Sequence, residues 1–247
     1  MASWRSIIMP REHGVWGLLA AAALVGLPLG DHLAGLPLLT AALAAVLARQ
    51  AATAEAGWRS AVVVVGASSL ALGLLLLSAV LAADTRWIPW LAAASLPAGL
   101  GVWLSSRRSW FGSAAAGVAF AALAGAIATA GGSKTAVAAA AAAVLAGHLI
   151  LIVPLVRAQT RKDPQWGRLA IELHVIALLL SVGCWAAGLL PPGIPLLFAF
   201  SLARAVLLVD KQTPMSSVTP ARIGSQELIW MPVVAAAIVM GLRMPVC

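Results

Sequence analysis

The sequence predicts an all-α membrane protein, a polytopic helical bundle of about nine transmembrane helices. Hydrophobic residues make up 62% of the chain and charged residues only 10%, whereas a soluble domain has about 25% charged residues. The apolar residues form long runs, and a helix needs about 20 apolar residues to cross a bilayer. Because the runs are continuous rather than alternating, they favour helices over the strands of a membrane barrel.

The nine apolar runs follow one another with short polar breaks and no hydrophilic block large enough for a second domain. In chain order they cover residues 14–30, 33–48, 61–83, 87–104, 110–130, 136–156, 169–190, 194–209 and 229–242. Residues 1–247 are therefore predicted to form a single transmembrane domain. The alanine tract that opens the sixth run predicts close helix packing, and the ninth run is short for a membrane span.

The first run resembles a secretory signal peptide, because Arg5 and Arg11 precede it and small residues follow. Glu12 and His13 interrupt this basic segment, however, and many later runs already ensure membrane insertion. We therefore expect the segment to remain as the first helix.

The placement of basic residues predicts the orientation of the chain. With the N-terminus in the cytoplasm and nine spans, the outer segments carry only three of the 16 basic residues, Arg86, Lys134 and Arg243. The other basic residues fall in the inner segments, as the positive-inside rule requires. The sequence thus predicts a multi-pass protein of the inner (plasma) membrane with its N-terminus inside and its C-terminus outside.

The net charge of +8 comes from basic residues that stand singly or in pairs between apolar runs. This pattern predicts anionic membrane lipids as partners and argues against nucleic acid, which would need a continuous basic stripe. Cys184 and Cys247 are far apart and form no metal or disulfide pattern. No close pair of carboxylates suits magnesium, and Gly131–Thr135 lacks the glycine that a phosphate loop needs before its lysine. We therefore expect neither a metal nor a cofactor.

Three ionisable residues, Arg11, Glu12 and His13, stand directly before the first run. They are explained by topology and by capping of a helix that Pro10 begins. Alternatively they form a catalytic acid–base group, because histidine changes charge near neutral pH, with Arg11 holding an anion.

A second basic group, Arg157, Arg161 and Lys162, follows the sixth run. Arg157 and Arg161 are four residues apart and share a face if the helix continues. The group is either an anchor for lipid phosphates or a clamp for a phosphate or carboxylate, which suits the forked donors of arginine.

Ionisable residues inside apolar runs are the stronger functional signal, because burying a charge in a membrane is costly. Arg204 and Glu172 are the main examples, and they predict either a buried structural pair or a ligand site. His174 is two residues from Glu172, so only one of the two can face a shared cavity. For His148, we expect a core histidine whose hydrogen bonds are satisfied.

Glu227 precedes the last run, where Ser225 predicts a helix cap with Glu227 in the first turn. It is also a secondary candidate for the same cavity, on the side of the membrane where Arg157 and Arg204 lie.

Three segments together resemble the YwiC-like family of multi-pass membrane proteins. They are Pro10–Trp16, Arg161–Asp163 and Arg222–Glu227. The family brings no established activity, so this resemblance implies architecture rather than chemistry.

The predicted topology is also similar, more distantly, to the UbiA-type prenyltransferase fold. That fold has nine helices, an inner N-terminus and aspartate-rich motifs after helices two and six. The corresponding segments here, 49–59 and 157–168, contain one acid each, Glu55 and Asp163. The resemblance implies a lipid transferase without a metal–diphosphate site, if the protein is an enzyme.

These observations predict a cytoplasmic-side basic cavity that binds, or modifies, an anionic or isoprenoid lipid. In this hypothesis the catalytic candidates are His13, Glu12 and Glu172. The anion- or lipid-binding candidates are Arg11, Arg157, Arg161, Lys162, Arg204 and Glu227. A transporter of small solutes or ions, with Arg204 and Glu172 in its path, and a membrane assembly or scaffold protein remain as alternatives.

Overall fold

A computed structural model describes residues 13–53, 58–82, 85–105, 110–161, 163–210 and 220–243. These residues form nine α-helices and no strand, which confirms the all-helical prediction. The helices are α1 (His13–Leu29), α2 (His32–Thr53), α3 (Trp58–Leu81), α4 (Ile88–Ser105), α5 (Trp110–Ala130), α6 (Thr135–Arg161), α7 (Pro164–Ala186), α8 (Gly193–Asp210) and α9 (Pro220–Arg243).

Six of these helices are long and apolar enough to cross a membrane: α2, α3, α5, α6, α7 and α8. The apolar parts of the other three are shorter and cover Val15–Leu29, Ile88–Leu100 and Ile229–Arg243. The architecture is therefore that of a membrane helical bundle, and the shortness expected of the ninth run is confirmed.

The centre of the bundle is α5, which packs against α1, α2, α4 and α6. Its alanine and glycine residues are almost all buried from Ala119 to Ala130. Small residues allow this close approach: a Cβ added to Gly26 of α1 would lie 2.8 Å from the backbone oxygen of Ala124. The alanine tract of α6 also contributes to the core through Ala138, Ala141 and Ala142, which agrees with the close packing that the sequence predicts.

The chain turns that join successive helices identify two opposite ends of the bundle. At one end, Asp31 N donates to the carbonyl oxygen of Gly131 at 2.7 Å, Arg243 donates to the carbonyl oxygen of Pro28, and Gly193 lies beside Gly241. We call this end the turn face.

The other end, which we call the basic face, is defined by Arg157, Asp163, Arg168 and Asp210. Here a Cβ added to Gly167 of α7 would lie 3.0 Å from Val209 of α8, so the start of one helix meets the end of the other. Nine successive helices that alternate in direction place their ends in this way.

One predicted polar link is largely helical instead. The link expected over residues 157–168 is helical over 157–161 and 164–168, because α6 continues to Arg161 and α7 begins at Pro164. The Asp163 carboxylate accepts a hydrogen bond from Gln165 N at 2.9 Å and caps α7, and proline suits the first turn of a helix.

The start of the last helix was also predicted wrongly. α9 begins at Pro220, so Ser225 lies inside the helix rather than at its cap. Hydrophobic runs report only the apolar part of a helix, whereas backbone hydrogen bonding continues into the polar residues beside it.

Candidate functional site

The predicted site residues divide into those that the structure places and those that it does not. Arg11, Glu12 and Lys162 lie outside the described residues. His13 is the first residue of α1 and Arg161 the last of α6, but their side chains are outside the described part of the structure. Because α6 continues through Arg161, Arg157 and Arg161 are four residues apart in one helix and lie on the same face of it.

Arg204 of α8 forms an ion pair with Glu227 of α9. The guanidinium uses two nitrogens on the two carboxylate oxygens, with Nη2–Oε1 at 2.5 Å and Nη1–Oε2 at 3.2 Å. The side chains are 19% and 16% exposed, so the pair is mostly removed from solvent. Forked pairs of this kind fix both geometry and register, and this one joins two helices that are consecutive in the chain.

Trp230 lies one helical turn beyond Glu227 and completes this contact. The Cζ atom of Arg204 is 5.4 Å from the centre of the indole ring, within the range of a cation–π interaction. The Nε1 atom of Trp230 is buried and has no hydrogen-bond partner in the described part of the chain.

Glu172 is half-exposed, whereas its position inside an apolar run predicted a buried carboxylate. It accepts a hydrogen bond from Arg168 Nε at 2.7 Å, one turn away on α7, and the two side chains are 51% and 84% exposed. The partner of Arg204 is therefore Glu227 rather than Glu172. His174 is buried, as expected if only one of Glu172 and His174 can face the interior.

Arg157 lies near the basic face, where its Cζ atom is 5.0 Å from the ring centre of Trp166. This contact joins the end of α6 to the first turns of α7. With Arg168 and Asp163 nearby in the chain, it places several charged groups at one end of the bundle.

His148 occupies the midpoint of α6 and is 1% exposed. His148 is therefore the core histidine that the sequence predicts, but neither of its ring nitrogens has the expected hydrogen-bond partner among the described residues. His174, a second buried imidazole, differs because its Nδ1 lies 2.7 Å from the carbonyl oxygen of Ala170.

Ser201 is one turn before Arg204 on α8 and is 3% exposed, and its hydroxyl has no partner among the residues that the structure describes. Hydroxyl groups in helices usually bond to a carbonyl oxygen of the preceding turn. Thr40, Thr129, Thr160, Ser95 and Ser181 all do so here. The free hydroxyl of Ser201 is therefore a local exception.

His148, Ser201 and Trp230 belong to one region of the bundle. Their helices α6, α8 and α9 all pack against one another, and a Cβ added to Gly147 would lie 3.6 Å from Phe198, one turn from Ser201. Arg204 relates the three residues, since it shares a face with Ser201 and stacks on Trp230, and both of these helices pack against α6, which carries His148. We call these three residues together with Arg204 and Glu227 the polar cluster.

The polar cluster lies between the basic face and the middle of the bundle, within the described residues. Arg204 is six residues from the end of α8, about 9 Å at 1.5 Å per residue, and the five residues between it and Asp210 are apolar. Towards the turn face, the neighbours of His148 on α6 and α9 are apolar too, including Leu145, Val234 and Ile238. The cluster thus begins about 9 Å inside the basic face and reaches about mid-bundle.

Metal binding finds no support in the described residues, where no group of three or more His, Cys, Asp or Glu side chains is placed to hold a metal ion.

Sequence reasoning missed Ser201 and Trp230 and undervalued His148. A spacing signal existed, because Ser201 precedes Arg204 by three residues and Trp230 follows Glu227 by three, which puts each on the face of its charged neighbour.

Comparison of the chain with protein-family models, with curated proteins and with solved structures gave no match. The fold and the site define the class as a polytopic α-helical bundle with six helices able to span a membrane and an internal polar cluster. The resemblances to the YwiC-like family and to the UbiA-type fold remain predictions.

Proposed function

We propose that this protein binds an amphipathic lipid, anionic or isoprenoid, whose polar end enters the bundle from the basic face. The observation that carries the proposal is the polar cluster, in which buried polar atoms without partners among the described residues lie on helices that pack around the Arg204–Glu227 pair. A buried polar group without a partner costs free energy, and ionisable groups inside a membrane bundle usually mark ligand or ion sites.

In this proposal Arg157, with Arg161 beside it, attracts the anionic head group, and Arg204 holds it. Arginine has five N–H donors, and Glu227 engages two of the nitrogens of Arg204. Orientation with the N-terminus inside would put the basic face on the cytoplasmic side of the plasma membrane. The catalytic candidates Glu12, His13 and Glu172 belong to the same proposal only if the bound lipid is also modified, without a metal–diphosphate site.

The one-sided extent of the polar cluster favours binding over transport. A path for a polar solute needs polar groups that can bind it towards both faces. Towards the turn face, the buried hydroxyls of Ser78, Thr129 and Ser181 all donate to backbone carbonyl oxygens. Solute uptake into proteoliposomes carrying the purified protein should therefore not exceed that of empty liposomes.

Mass spectrometry of lipids that copurify with the protein tests the proposal. We expect one anionic or isoprenoid lipid to be enriched over the bulk extract with the wild-type protein. The enrichment should be lost in the double variant Arg204→Met/Glu227→Met, which replaces the ion pair by apolar side chains that a bundle interior tolerates. Arg168→Ala, which removes an exposed cation at the same face, is the matched control and should retain the lipid.

Two results would contradict the proposal. One is a lipid profile indistinguishable from the bulk membrane. The other is full enrichment in the folded double variant.

A further inference from the structure

We propose that His148, Ser201 and Trp230 form a subsite for an uncharged carbonyl oxygen on an otherwise apolar part of the ligand. This inference rests on the proposed lipid-binding function. It names the chemical group of the lipid that binds beyond Arg204, further from the basic face.

The donors of the subsite are the first argument. The indole Nε1–H can only donate, and the hydroxyl of Ser201 donates as well as accepts. Both are buried, and neither finds an acceptor in the described part of the chain. Four of the six buried side-chain nitrogen and oxygen atoms without partners belong to His148, Ser201 and Trp230. A carbonyl oxygen has two acceptor lone pairs and can therefore accept from both Ser201 and Trp230.

The distribution of charge is the second argument. Arg204 lies on the same helix face as Ser201 and is paired with Glu227, so this ion pair is neutral as a unit. Ser201 lies three residues further from the basic face than Arg204, about 4.5 Å along the helix. An anion bound beside Ser201 would be buried without its own counter-ion, which is costly, whereas a carbonyl oxygen needs no counter-ion.

The surroundings are the third argument. Phe198, Leu197, Met231 and Val234 are buried on α8 and α9 around the polar cluster. Ligand sites of this kind combine apolar walls with a few placed polar groups, so the atoms next to the carbonyl group should be hydrocarbon.

Two sources can provide such an oxygen, the ester carbonyl of a glycerolipid and a ketone on an isoprenoid chain. Two pairs of probes distinguish them in thermal unfolding of the full-length protein in detergent. Dioctanoyl phosphatidylglycerol is compared with its dioctyl ether analogue, which lacks the carbonyls. Farnesylacetone is compared with farnesene, which lacks the ketone.

We expect at least one carbonyl probe to raise the Tm more than its carbonyl-free partner, because a ligand that binds only the folded state stabilises it. Ser201→Ala and Trp230→Phe should each weaken the apparent Kd of that probe by about threefold to tenfold, the usual effect of one lost hydrogen bond. Ser181→Ala, a buried serine whose hydroxyl bonds to Leu178, should leave the Kd unchanged.

Equal Tm shifts within both probe pairs would overturn the inference, and so would unchanged binding in both Ser201→Ala and Trp230→Phe. If an anionic lipid still copurifies and depends on the Arg204–Glu227 pair, the subsite fails and the proposed function stands. If farnesylacetone binds through Ser201 but no lipid is enriched, the subsite stands and the head-group assignment fails.

Discussion

Ser201 and Ser181 are both buried, but only the hydroxyl of Ser181 has a partner in its own helix. Removing an unsatisfied hydroxyl costs little, whereas removing a hydrogen-bonded one loses the bond. We expect Ser201→Ala to leave the free energy of unfolding unchanged or raise it by up to about 1 kcal/mol, and Ser181→Ala to lower it by about 0.5–1.5 kcal/mol. Denaturation of delipidated protein in mixed micelles measures both, and an equal loss in the two variants would show that Ser201 is bonded in the folded protein.

Glu227 and Glu172 both bind an arginine, but only the pair of Glu227 is mostly removed from solvent. Glu227→Gln should lower the free energy of unfolding by about 2–4 kcal/mol, because it leaves Arg204 without its counter-ion in the interior. Glu172→Gln should have no measurable effect, since exposed ion pairs contribute little.

A double-mutant cycle of Arg204→Gln and Glu227→Gln measures the interaction free energy between these two side chains, separately from their contacts with other residues. A coupling free energy near zero between the two substitutions would contradict the assignment of this pair as a link between α8 and α9.

At the scale of the helices, the packing of α1 on α5 depends on glycine. A methyl group at Gly26 would lie 2.8 Å from both the backbone oxygen of Ala124 and the Cβ of Ile127, so the helices would have to move apart. Gly26→Ala should destabilise the protein by about 1–3 kcal/mol through overpacking.

Gly66→Ala on α3 is the control, because its methyl group would meet no atom within 4 Å. This substitution should be neutral or stabilising by up to about 1 kcal/mol, the gain in helix propensity. Thermal unfolding of the two variants in the same detergent checks both values, and equal stability would argue against the tight α1–α5 contact.

Helix positions could be predicted from the sequence more closely than helix ends. The run 110–130 coincides with α5, and the run 194–209 matches α8 to within one residue at each end. In both cases the apolar run and the hydrogen-bonded helix have nearly the same length. α9 begins six residues before Gln226, the start that the predicted cap at Ser225 implies, since the polar segment from Pro220 onwards contributes helix without contributing hydropathy. The cap that Asp163 provides for α7 is likewise a local hydrogen bond that hydropathy does not report.

The polar cluster could be predicted only in part. Arg204 was identified because a charge inside an apolar run is conspicuous in a sequence. Its partner was not, because Glu227 is 23 residues away and the choice between Glu172 and Glu227 depends on which helices α8 contacts. The roles of His148 and Ser201 depend on missing partners, and a missing hydrogen bond leaves no pattern in a sequence.

The molecule as a whole has two chemically different ends. Lys134 and Arg168 are exposed at opposite ends, and the charge distribution predicts that Lys134 is outside the cell and Arg168 inside. Single cysteines at these positions, in a Cys184→Ser/Cys247→Ser background, should report this orientation.

An impermeant maleimide added to intact cells should label Lys134→Cys but not Arg168→Cys, which should react only after permeabilisation. The reverse pattern would invert the orientation. Labelling of both positions in intact cells would contradict their placement at opposite ends.

A cryo-electron microscopy map of the full-length protein in nanodiscs made with its native lipids tests the central claim most directly. We predict elongated non-protein density that enters from the basic face and reaches hydrogen-bond distance of Ser201 Oγ and Trp230 Nε1. A map in which the side chains of the polar cluster bond only to one another or to water, with lipid confined to the outer surface, would contradict it.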